Sequence, residues 1–406
     1  MSRQQGKRRT TSRDRLLSAI VGDPGAPTPC CFMIFSALLA RCRDYQQMAL
    51  SEQELGLDVR VPIVDLPVRF SPDVRITESL ERPAVGPPLL HRSYQTSAGT
   101  LTATVRKTDD WPHGDRLPLF GDHIAPRATK FLVAGPADLA PLRALLAEPT
   151  ADDIAAFRQD AAQRARFADD HGFLLAGGWG ATRRPQVEDR GLIGSDYGTA
   201  TVVDALMWLC GATQPLLWAY DDPRFLSGLI SLLETYNRRR LELHLETGAK
   251  LIFHRGWYEG TEFWSPRLYR QFVFPSLQRE AELCHQAGAY LAYILTSGML
   301  PIADIIVEAG VDVVVGIDPG EGKGTTLEAV RSRLGGRVAL WGGVSGPLIV
   351  ERGSEQDVRG AVEQAMGHLA PTGRFVLSPV DNVTDGSEHT WRNVEAFVDS
   401  WRRIAG

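Results

Sequence analysis

The sequence is poor in the features that would assign a function at once. Five cysteines in 406 residues (Cys30, Cys31, Cys42, Cys210, Cys284) show no paired metal-ligand spacing and no disulfide framework. No GxGxxG opens a helix after a strand, which speaks against a dinucleotide-binding sheet. No apolar run is long enough to span a bilayer or to form a secretory leader. No internal repeat is present. The formal charge of −5 leaves no concentrated basic footprint, so a nucleic-acid partner is not expected. The only basic run, "MSRQQGKRRTTSRDR", reads as a mobile tail over residues 1–12. These absences together predict a cytoplasmic protein with reduced thiols, no nucleic-acid partner and no membrane partner.

What is present is an α/β rhythm. Near-continuous apolar runs alternate with helical patterns, as a parallel sheet covered on both faces requires. The runs are "TPCCFMIFSALLA" (28–40), "LDVRVPIVDLPVRF" (57–70), "GFLLAGGWG", "KLIFHRGW" (250–257), "AYLAYIL" (289–295), "VDVVVGID" (311–318), "RVALWGGV" (337–344) and "RFVLSPVD" (374–381). Eight strands predict a single (β/α)8 TIM-type barrel over 13–406. Residues 66–130, rich in Pro and Gly with a hairpin-like "HRSYQTSAGTLTATVRK", predict an N-terminal antiparallel decoration.

A barrel places its chemistry on the loops after its strands. That rule selects Trp179, then His254, Arg255, Trp257, Tyr258 and Glu259, then Tyr293, Thr296 and Ser297. It also selects Asp318, Trp341, Ser378, Asp381 and Asn382, with Asp65 from the N-terminal half. The tryptophans and tyrosines suit the flat walls of a small-molecule pocket. Asp65, Glu259, Asp381, Tyr258 and His254 are the candidate acid–base groups. The others are candidate substrate contacts. Each has a plainer reading: His254 as a core histidine, Trp341 as packing, and Asp318-Pro319-Gly320 as a capped turn.

The segments "FWSPRLYRQFVFPSLQREAELCHQAGAYLAYILTSG", "IVEAGVDVVVGIDP", "VALWGGVSGPLIVERGSEQDVRGAVEQA" and "RFVLSPVDNV" resemble the uroporphyrinogen decarboxylase superfamily. That superfamily includes corrinoid-linked methyltransferases. The resemblance implies the barrel fold, and by analogy a homodimer. It also marks two departures. Where the superfamily's thiol methyltransferases carry a zinc-binding His-x-Cys-Gly and a later Cys, this chain has Leu295, Ser297, Gly298 and Asp381. Leucine cannot ligate zinc, so no metal is expected. Where its decarboxylases carry Arg-Gln-Ala-Gly-Arg, this chain has only Arg41 and Arg43, two apart. Uroporphyrinogen itself is therefore not the expected substrate, although Asp65 matches the context of the decarboxylase aspartate.

The resulting expectation is a methyl group moved from a small aromatic or amine-type substrate to a corrinoid or similar acceptor, a corrinoid being supplied by a partner protein and not bound tightly here. Two alternatives stand beside it. One is metal-free decarboxylation of a small aromatic or heteroaromatic acid, and the other is a catalytically silent ligand-binding barrel.

Overall fold

The computed structural model describes residues 10–178, 201–320 and 324–405. In chain order the first strand, β1, is Arg60–Pro62. The strands β2 (Arg69–Phe70), β3 (Arg75–Glu81), β4 (Leu89–Thr96), β5 (Gly99–Arg106), β6 (Ala128–Lys130) and β7 (Leu146–Ala147) follow. The remainder are β8 (Leu174–Gly178), β9 (Leu251–Arg255), β10 (Tyr290–Ile294), β11 (Val313–Ile317), β12 (Ala339–Ser345) and β13 (Phe375–Val380).

Seven of these form one parallel sheet in the order β1-β8-β9-β10-β11-β12-β13. The remaining place in the ring belongs to residues 29–34. Cys30 bridges Leu377 and Ile34 bridges Asn382, both parallel, while on the other side Asp58 N donates to Cys30 O at 2.7 Å. The fold is thus a (β/α)8 barrel. The eighth stave is short because Ser378 Oγ and Asn382 Oδ1 take the backbone N–H groups of Met33 and Ser36 in place of a regular ladder.

Side chains alternate across the barrel wall, as strand geometry dictates. Leu174, Ala176, Leu251, Phe253, Ala292, Ile294, Val313, Val315, Ala339, Trp341 and Val376 fill the interior with Cys31 and Met33. Val61, Leu175, Ile252, Leu291, Tyr293, Val314, Leu340 and Leu377 face outward and pack beneath the helices. The helix Ser12–Val21 sends Leu16, Ala19 and Ile20 into the interior cluster, at the end where the strands begin. That helix plugs this end of the barrel, and the other end carries the loops after the strands.

The strands β3-β4-β5-β6 form a separate antiparallel sheet, and β2 pairs with β7 in a short ribbon. A loop of turns over 107–127 joins β5 to β6. It carries Asp122 to the open end of the barrel, where that residue meets Arg255.

Candidate active site

The alternation that puts Leu251 and Phe253 inside also puts Arg255 inside, at the carboxyl end of β9. Its side chain is wholly buried, and its Nη1 donates to Asp204 Oδ2 at 2.8 Å. Its Nη2 pairs with Asp122, on the 107–127 loop. The guanidinium lies 4.1 Å from the Trp257 ring centroid, 5.1 Å from Trp208 and 5.8 Å from Tyr258. These distances are in the cation–π range. The protein's own cation therefore occupies the aromatic faces expected to receive an amine.

Asp204 comes from the helix Val202–Cys210, whose sequence is apolar except for this residue. Thr201 fixes it in two ways. As N-cap it accepts the Asp204 N–H at 3.4 Å, and its hydroxyl donates to Arg255 O at 2.8 Å. The Asp204 side chain is fully enclosed, and its Oδ1 has no hydrogen-bond partner among the described residues. Burial pushes this carboxyl from its ordinary 3.8 up to about 7. Asp122 and Glu259 add repulsion, against the pull of Arg255. A carboxylic acid that titrates near neutrality beside aromatic walls can deliver a proton and recover it.

His254 and Tyr293, expected at the mouth, lie on the outer side of the wall. Their partners explain why. His254 Nδ1 is 2.7 Å from Glu280 on the helix Phe274–Gln286, and its Nε2 is 3.0 Å from Glu259 Oε1. Tyr293 donates to Glu259 Oε2 at 2.7 Å and receives the Tyr269 hydroxyl at 3.1 Å. Burial would make His254 neutral, but Glu280 and Glu259 outweigh it and hold the imidazole well above its usual range. Glu259 is thus the centre of a buried clamp that ties the 256–262 loop to the helix layer. Its side chain faces away from Arg255's pocket.

Four other expected contacts make hydrogen bonds within the fold. Trp341 fills the barrel interior, with its Nε1 donating to Cys31 O at 2.8 Å. Ser378 and Asn382 hold the eighth stave, as described above. Asp318 is buried and accepts the Gly320 N–H at 2.7 Å, the capped turn of its plainer reading.

Thr296 and Ser297 remain half-exposed beyond β10. The following Gly298, at φ 65°, packs against Thr261, whose hydroxyl donates to Gly298 O at 3.0 Å. Asp381, just beyond β13, is the only non-glycine with positive φ among the described residues, at 63°. Trp179 lies outside the described residues.

Asp65 is largely buried, and its Oδ1 is 3.2 Å from His244 Nε2. Gly178 N–H donates to His244 Nδ1 at 3.3 Å, so the ring proton sits on Nε2 and points at Asp65. This pair lies between β8 and the helix Pro223–Glu246, separate from Arg255.

The sequence reading missed Asp204, Asp122, His244 and Glu280. Asp204 was visible as the lone acid in an apolar helix. Asp122 was not, because 133 positions separate it from Arg255.

A zinc site of the thiol-methyltransferase kind does not fit these residues. Leu295 is packed into the outer core, and Gly298 offers no side chain. Among the described residues no group of three His, Cys, Asp or Glu side chains is arranged to hold a metal ion.

Fold and pocket define the class of an α/β-barrel protein with a buried acid at its open end. The comparisons then narrow it. The model of the uroporphyrinogen decarboxylase family matches residues 188–404, and this chain belongs to that family. A methyltransferase from Methanosarcina mazei shares 16% identity, with 98% of this chain and 99% of that one covered, at a TM-score of 0.56. A B12-independent methionine synthase from Shewanella sp. W3-18-1 shares 8% identity over 88% and 86% of the two chains, at a TM-score of 0.46. No curated protein matches the sequence.

Proposed function

We propose that this chain is a demethylating methyltransferase that works at the pocket of Arg255 and Asp204. The observation that carries the reading is Asp204 itself, a buried acid titrating at about 7 with one oxygen unpartnered. A methyl group bound to oxygen leaves only when that oxygen receives a proton as the bond breaks. Asp204 is suited to supply that proton. The O–CH3 bond would break, the methyl would pass to a nucleophilic acceptor, and the proton would move from Asp204 to the leaving oxygen. The Asp204 carboxylate would then be reprotonated from solvent.

The aromatic faces favour an ether over an amine, because Arg255 already fills the ring faces that would hold a second cation. The acceptor in this reading is a corrinoid carried by a separate protein at the open mouth. No residue of this chain is assigned to hold it.

The test is incubation of the protein with reduced cobalamin and small aryl methyl ethers, reading both the cobalamin spectrum and phenol formation. Methyl transfer abolished by Asp204→Asn is the expected result. Transfer that survives that substitution unchanged overturns the assignment of the acid.

Decarboxylation of a small aromatic acid is the second reading, favoured by the Asp65–His244 pair in the context matched to the family's decarboxylases. It predicts carbon dioxide released from substrate alone and lost in Asp65→Asn. Ligand binding without either product would indicate the silent barrel.

A further inference from the structure

Two carboxylates serve Arg255, and they are held very differently. Asp204 stands in the first turn of a helix, wholly buried, with its backbone fixed by Thr201. Nothing short of unfolding that turn removes it. Asp122 stands on the 107–127 loop, which has turns but neither helix nor strand. Its side chain is 38% exposed, and Arg255 is its only hydrogen-bond partner among the described residues. Asp122 therefore separates the outer edge of a fully buried guanidinium from solvent.

Charge also bears on the arrangement. Among the described residues, one guanidinium faces two carboxylates, Asp204 and Asp122. A third carboxylate would find the cation already matched and two like charges nearby. Of the two described carboxylate partners of Arg255, Asp122 is the one that an anionic ligand can exchange. The guanidinium is well prepared for such a ligand. It is planar, it is stacked within 4.1 Å of Trp257, and its outer edge is set for paired hydrogen bonds to a carboxylate.

We propose that Asp122 is a place-holder for a carboxylate of the substrate, and that the substrate is a small apolar, aromatic acid. Its carboxylate takes over the place of Asp122 on the Arg255 guanidinium while the Asp122 side chain turns out to solvent, its backbone held by the buried Phe120 and Ile124 on either side, and its ring lies beside Trp257 and Tyr258, outside the guanidinium. The inference rests on the proposed pocket being the active site, and it deepens that reading by naming a substrate class. It also bears on the choice of reaction. Carbon dioxide is lost only as negative charge leaves the carboxylate, and a guanidinium paired to that group stabilises the unreacted acid. A carboxylate held on Arg255 is an anchor, and the chemistry falls on another group of the ring.

The experiment is isothermal titration calorimetry of the full chain with benzoate and with benzamide, its neutral isostere. Wild-type protein is expected to bind benzoate at least ~10-fold more tightly, because only the acid makes charge-assisted bonds to the guanidinium. Asp122→Asn removes the competing charge and is expected to tighten benzoate by a further ~10-fold, with benzamide unchanged. Asp122→Ala, which also removes the competing hydrogen bond, should move affinity in the same direction. Equal affinity for the two ligands, or benzoate binding that weakens or stays constant in both variants, overturns the inference. Neither ligand carries a transferable methyl group. Failed methyl transfer therefore leaves this result standing, and failed benzoate selectivity leaves transfer from a neutral ether standing.

Discussion

Replacing Asp204 by asparagine separates a catalytic acid from a structural ion pair, because the two roles predict opposite changes in stability. The carboxyl is raised from 3.8 to about 7 in the folded chain, chiefly by burial. The native state therefore holds its proton more tightly than the unfolded chain does. Wild-type stability is complete below pH 3.8, declines as pH rises from there to about 7, and is level above. At 1.36 kcal/mol for each pH unit of the difference, the loss reaches at most about 4 kcal/mol. Asparagine resembles the protonated acid and never ionises, so the variant escapes this loss.

At pH 8.5 the Asp204→Asn protein should unfold in urea at a denaturant concentration at least equal to that of wild type, with the advantage vanishing near pH 4. Turnover should meanwhile fall by at least ~10²-fold, the usual contribution of a general acid. Wild-type kcat/KM should itself fall tenfold per pH unit above about 7, as the protonated form is depleted. A structural pair would behave otherwise. Breaking it would destabilise the fold by about 3–5 kcal/mol at pH 8.5 and leave no acid limb in the pH profile. That outcome refutes the reasoning about Asp204.

Three further predictions follow from the surroundings. His254→Gln should flatten the pH dependence of Tm above pH 6.5. The raised imidazole stabilises fully below that value, and its contribution is lost as pH climbs through the folded pKa. The same variant should cost about 3–5 kcal/mol in urea unfolding at pH 6, because Glu259 and Glu280 lose their shared cation. Gly298→Ala should destabilise by about 1–3 kcal/mol and lower turnover, read by urea unfolding and steady-state kinetics. A Cβ at φ 65° is strained and would overlap Thr261 N, displacing the loop behind Tyr258. Trp341→Phe should cost about 1–3 kcal/mol in urea unfolding with benzoate affinity unchanged, since it orphans Cys31 O inside the barrel and touches no ligand.

The barrel was legible because its staves are continuous apolar runs, and all eight were visible in the sequence. Even "TPCCFMIF", which forms only isolated bridges, declared itself by composition. The side on which each residue falls was harder to read. Strands buried on both faces carry no polar alternation, so "LIFHRGW" does not reveal that Arg255 points into the lumen and His254 away from it. The glutamates that draw His254 outward come from the following loop and the next helix, and no spacing rule joins them. The same is true of the pocket's two acids, 51 and 133 positions from Arg255. Motif reading pointed to the loop after β9 and named Glu259 with Asp65, Asp381, Tyr258 and His254 as candidate acid–base groups; the buried acid beside Arg255 comes instead from the helix Val202–Cys210.

The plug formed by Leu16, Ala19 and Ile20 also bears on the order of binding in the proposed reaction. A vessel sealed at its base has a single doorway, and two reactants using it must queue. On the proposed methyl transfer, the small donor would settle first, beneath the place where a bulky acceptor would lodge, and the demethylated product would depart only after that acceptor withdraws. Initial-rate patterns should therefore be those of compulsory ordered addition, with excess acceptor inhibiting by blocking the entrance to an empty barrel.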